Sequence, residues 1–175
     1  MADRLVEQYN RTQFDETDVS FVGQLPFFFL ATSTPEGQPD CSFKGGPPGF
    51  VRITGPDCLV FPDYDGNGMF KSLGNIMSNP NVGLLFIAMG DTPRRLRVNG
   101  TAVVDLESPL IHDFDGAQAI VQVTPRHIFP NCPRYIPDLE NGKPSRYLPD
   151  DNEPPVEPAW KGYEQFKDVV PRRRR

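Results

Sequence analysis

The chain has 175 residues, of which 20 are proline and 15 glycine. With one residue in five a breaker of regular structure, the composition argues against a helical bundle and for many short strands joined by tight turns. A formal charge of −5 offers no general attraction for nucleic acid or anionic membrane, and three widely spaced cysteines with two histidines exclude a disulfide framework or zinc ribbon.

The opening stretch MADRLVEQYNRTQFDETD is too polar for a secretory leader. No run approaches the ~20 apolar residues of a membrane-spanning helix, so a cytoplasmic location is expected. Phe27 to Ser33 is apolar and led by β-favouring aromatics, Pro35-Glu36-Gly37-Gln38 turns, and Asp40 to Lys44 returns as the second strand of a hairpin. The breakers Gly45-Gly46-Pro47-Pro48-Gly49 end that strand. Phe50 to Ile53 and Cys58 to Phe61 continue an antiparallel meander through a turn at Gly55-Pro56-Asp57.

The period then changes. Phe70, Leu73, Ile76 and Met77 share one helical face, and Asn79-Pro80 ends the helix. Val82 to Ala88 and Leu96 to Asp105 are further strands, with Gly100 marking a bulge in the second. Ser108-Pro109 announces a short helix to Phe114, and Ala119 to Phe129 is the last long strand. From Pro130 onward the chain is proline-rich and expected to be irregular. Trp160, Tyr163 and Phe166 recur there at helical spacing, and Arg172 to Arg175 form a solvated tail.

One segment carries chemistry. From Phe61 to Leu73 a strand passes through a glycine-containing loop into a helix, with Lys71 and Ser72 in the first turn. Free N–H groups, a cation and a hydroxyl at a helix start are the parts of a phosphate cradle. Neither a dinucleotide fingerprint nor a P-loop fits, because Lys71 and Phe70 stand where those motifs need glycine. A plain strand-to-helix turn with an exposed lysine accounts for the same residues.

Four blocks in order, FFFLATSTPEGQPDCSFKGGPPGFVRI, LVFPDYDGNGMFKSLGNIMSNPNVGLLFI, PRRLRVNGTAVV and FPNCPRYI, resemble the FMN-binding proteins related to pyridoxamine 5′-phosphate oxidase. The resemblance is strongest from Phe27 to Thr101 and continues through Tyr135. It implies a mainly β fold with short helices, an antiparallel split β-barrel of the FMN-binding type. Residues 1–136 would form that barrel with a helical lead, and residues 137–175 a proline-rich extension packed on the barrel or a partner subunit.

The resemblance further implies a homodimer with FMN at the subunit interface, and an FMN-dependent oxidoreductase acting on a small organic substrate. It places the phosphate on Ser42, Lys44, Asn67, Lys71 and Ser72, with Asn75 one helical turn further on. Backbone of Pro62, Asp63 and Tyr64 would lie along the flavin ring, and Arg95 and Arg97 near the cofactor. A pocket walled by Phe43, Phe50 and Phe61 is the matching expectation, as is Arg134 with Tyr135 reaching a partner's pocket or closing a surface turn. The oxidase itself carries arginine where Ser42 aligns, and its substrate-holding C-terminal residues have no counterpart. The resemblance therefore implies a relative with another acceptor. The same fold admits a haem-binding or haem-degrading protein, a flavin store without turnover, or a user of the deazaflavin F420. A flavin carries the difficult electron steps itself, which suits a chain with no triad or carboxylate pair.

Overall fold

Phe27–Ser33 (β1) and Pro39–Gly45 (β2) form the expected hairpin, in a register running from Phe27 opposite Gly45 to Ser33 opposite Pro39. Gly37 closes its turn at φ 83°, donating its N–H to the Thr34 carbonyl at 2.9 Å. Five more strands follow: Arg52–Gly55 (β3), Cys58–Tyr64 (β4), Asn81–Ala88 (β5), Arg94–Asp105 (β6) and Ala117–Pro130 (β7). They build one seven-stranded sheet in the order β2-β1-β5-β6-β7-β4-β3. The β1–β2, β1–β5, β3–β4, β4–β7 and β6–β7 pairs are all antiparallel. This computed structural model describes residues 7–148 and 159–166.

Although β2 and β3 are consecutive in the chain, they are the two edges of the sheet. The breaker run after β2 is where the backbone leaves one edge for the other. The sheet curls enough for rings from distant strands to meet. Phe28 of β1 is fully buried and packs against Phe61 of β4 at 4.9 Å, Phe86 of β5 at 5.2 Å and Phe50 at 6.0 Å between centroids. That aromatic centre holds the barrel together.

Gly100 is the bulge that the sequence suggests. The β6–β7 register shifts between Asn99 and Gly100, and a Cβ at Gly100 would collide with the Thr124 carbonyl oxygen. The helix after β4 is Lys71–Ser78, and an earlier one is Glu16–Gly23; they are α2 and α1 in chain order. A reciprocal box starts α1. Asp15 accepts from the Asp18 N–H at 2.9 Å, and Asp18 accepts from the Asp15 N–H at 3.2 Å. Arg11 grips the buried Asp18 at 2.8 and 3.1 Å while its own backbone pairs with Ile128.

The segment after Ser108 is a 3-10 turn, Pro109–Asp113, without a side-chain cap. The aromatic spacing near the end resolves into two further 3-10 turns, Ala159–Gly162 and Glu164–Phe166. The tail Arg172 to Arg175 lies outside the described residues. Among the described residues no helix is long and apolar enough to cross a membrane.

The chain divides into two compact units. Arg11–Ile87 with Arg95–Asn131 carry the sheet core and both helices. The other unit gathers residues 7–10, the β5–β6 connection and the described residues beyond Asn131. Within it Leu139 donates its N–H to the Met89 carbonyl at 2.8 Å, and Asp138 pairs with Lys143 at 2.9 Å.

Candidate functional site

The inner face of β2 is polar where a barrel strand would ordinarily be apolar. Asp40, Ser42 and Lys44 stand opposite Thr32, Leu30 and Phe28. Those three are buried, so the polar groups face the same interior. Each of them meets a partner from elsewhere. Lys44 Nζ donates to Asp63 Oδ1 of β4 at 3.2 Å, and Gln118 Nε2 of β7 reaches the other Asp63 oxygen at 3.4 Å. Ser42 Oγ and Ser72 Oγ of α2 share a hydrogen bond at 2.8 Å, and Lys71 Nζ contacts Asp40 Oδ1 at 2.9 Å.

The loop from β4 to α2 completes the site. A bulge between Asp63 and Tyr64 redirects the strand end, and burial pushes the Tyr64 phenol up. Gly68 takes φ 70°, and Asn67 Oδ1 accepts from the Met69 N–H at 3.1 Å. Phe70, at φ 49°, is the residue from which α2 starts, and no side chain caps the helix. A bulky residue with left-handed backbone is an outlier, worth about 1–2 kcal/mol of strain. The first-turn N–H groups therefore lack the Ser or Asp that usually satisfies them.

These groups surround a cavity of about 340 Å³, within the range of small-molecule sites. Ser42, Lys44, Asp63, Tyr64, Asn67, Lys71 and Ser72 all line it, as does Phe43. Pro62 does not, and Asn75 turns away to donate to Thr32 Oγ1 at 2.9 Å in the protein interior. Phe50 and Phe61 belong to the core around Phe28 and do not line the cavity.

Arg95 and Arg97 stand elsewhere. Neither arginine lines the cavity, and Arg97 sits opposite Phe129 of β7. Its guanidinium lies 5.5 Å from the Phe129 ring centroid, while Arg95 keeps a buried Nε without a hydrogen-bond partner. Neither histidine lines the cavity: His112 belongs to the 3-10 turn and His127 sits opposite Asn99.

Two polar lining side chains escaped the sequence reading. Asp40 was within reach, since alternation along Asp40-x-Ser42-x-Lys44 puts all three on one face. Gln118 had no local signal, because it is brought in by the register of β4 on β7.

The family model for pyridoxamine 5′-phosphate oxidase matches residues 14–135, well over half of the chain. The chain belongs to the pyridoxamine 5′-phosphate oxidase family. Among solved structures, this family member is similar to HupZ of Group A Streptococcus, at 16% identity and a TM-score of 0.54, over 75% of this chain and 98% of that one. An FMN-binding protein from Syntrophomonas wolfei matches at 10% identity and a TM-score of 0.52, over 67% and 88%. General Stress Protein 26 of Bacillus anthracis matches at 18% and 0.50, over 67% and 94%. At these identities the likeness is one of fold, and the fold is the antiparallel split β-barrel expected from the sequence. No curated protein matches the chain significantly.

Proposed function

We propose that this family member binds FMN at the junction of β4 and α2 and serves as an FMN-dependent oxidoreductase for a small organic substrate. The junction itself supports the reading most strongly. It offers an uncapped helix start behind a left-handed Phe70, beside Lys71 and two mutually bonded hydroxyls. Free N–H groups at the positive end of a helix, an ammonium and hydroxyls are the donors a phosphate requires. The Lys71 side chain is 56% exposed, so its ammonium can turn from Asp40 to an arriving anion.

When bound, FMN would supply the two-electron redox chemistry. The chain's own residues bind, orient and exclude water. Asp63 is tied at both oxygens, by Lys44 and Gln118, which fixes the end of β4 against β2 and β7. The Pro62 to Tyr64 backbone is thereby held rigid where a flat ring would lie.

The remaining wall is assigned to a second copy in a homodimer. Arg95 and Arg97 do not line the cavity of their own chain, and in a homodimer they would meet the cofactor from the second copy. On the outer face of the hairpin Phe43 stacks on Phe27 at 5.3 Å yet stays 63% exposed, an apolar surface that a second copy would cover.

Titrating the purified chain with FMN by fluorescence quenching tests the reading. Lys71→Ala removes the exposed cation and is expected to raise the dissociation constant about tenfold or more. An unchanged constant in that variant, or no binding by the unaltered chain, contradicts it.

A further inference from the structure

The seat assigned to the phosphate already holds an anion. Asp40 Oδ1 lies 2.9 Å from Lys71 Nζ, and Asp40 Oδ2 accepts from Ser42 Oγ at 3.3 Å. Ser42 in turn shares its hydrogen bond with Ser72. Both carboxylate oxygens are thus held by groups that a phosphate would use. We propose that Asp40 is a specificity-determining residue, a built-in competitor for Lys71 that makes the site discriminate among flavins by the charge of the tail. The proposal rests on the flavin reading above.

Burial decides which partner yields. The Asp40 side chain is 17% exposed and that of Lys71 56%. The carboxylate is also fixed on β2 opposite Thr32, within the hairpin ladder. Lys71 can swing; Asp40 cannot retreat with a loop. Lys44, the other lysine of the cavity, is engaged by Asp63 and offers no spare charge.

A phosphomonoester brings about −1.5 to −2 charges at pH 7. It would stand one hydrogen-bonded group from a carboxylate, well inside the ~8 Å over which salt screens charges at physiological ionic strength. That repulsion weakens FMN and leaves riboflavin, which has no phosphate, untouched.

The test compares FMN and riboflavin binding, by fluorescence quenching at fixed salt, in the full chain and in Asp40→Asn and Asp40→Glu. Asparagine keeps the shape and a hydrogen-bonding oxygen but loses the charge. The expected result is about tenfold tighter FMN with riboflavin unchanged within twofold, while Asp40→Glu keeps the original ratio of the two constants. Circular dichroism confirms that both variants fold, and Asp40→Glu controls for disturbance of the strand. Riboflavin binding with no gain in FMN affinity for Asp40→Asn overturns the role of Asp40 and leaves the flavin reading standing. Failure of every protein to bind either flavin removes the flavin reading, and this proposal with it.

Discussion

Two lysines of the same cavity have opposite characters because of what surrounds them. Lys44 is enclosed between β2 and Asp63 with a side chain 21% exposed, so it positions the end of β4. Lys71 faces out, and its contact with Asp40 resembles a surface pair, worth at most about 1 kcal/mol and readily exchanged. The same contrast applies to thiols. Burial raises the pKa of the Cys132 thiol, but the Arg134 hydrogen bond and charge bring it below that of an ordinary thiol. Arg134 Nε lies 3.2 Å from its sulfur. Because the thiolate is the nucleophile, alkylation of Cys132 should accelerate at a lower pH than for an unperturbed thiol. Arg134→Ala should move that profile upward, as followed by mass spectrometry of the Cys132 peptide. A profile indifferent to Arg134 would show that the contact has no electrostatic weight.

Local elements were legible wherever one chemical signal dominated. The β1–β2 hairpin follows from the apolar, aromatic-led run Phe27 to Ser33 and the turn residues Pro35 to Gln38, and the stop of α2 from Asn79-Pro80. Lys71 and Ser72 were legible in one contiguous motif and Ser42 and Lys44 through the family resemblance, while Asp40 beside them was passed over. Elements set by pairing were less so. β7 extends from Ala117 to Pro130, beyond its apolar stretch, because β4 and β6 supply ladder partners along its length. The left-handed Phe70 was invisible, since no sequence rule assigns that backbone to phenylalanine. Gly100 joins the two cases: the sequence suggests a bulge, and the structure gives its reason in the Thr124 carbonyl oxygen. A rigid backbone group cannot yield to a methyl. Gly100→Ala should therefore cost about 3 kcal/mol, the upper end of overpacking penalties. For a chain of this size that lowers the melting temperature by roughly 6–12 °C. A scanning calorimetry midpoint within a degree of the unaltered protein would refute the close approach.

At the scale of the whole molecule, an open-edged sheet curled around Phe28 leaves one interior strand face polar, and the site is built there. Asp40, Ser42 and Lys44 depart from the apolar rule together, and such shared departures are where function is expected. Their partners come from β4, α2 and β7, an assembly that only the fold brings about. The arginines of β6 do not line this cavity, and under the proposed homodimer they would reach it from the second subunit. The most direct measurement is a crystal structure of the chain grown with FMN. The account predicts the phosphate at the start of α2, within hydrogen-bond distance of Lys71 Nζ, Ser72 Oγ and the first-turn N–H groups. A flavin phosphate seated anywhere else, with Lys71 still on Asp40, would contradict it.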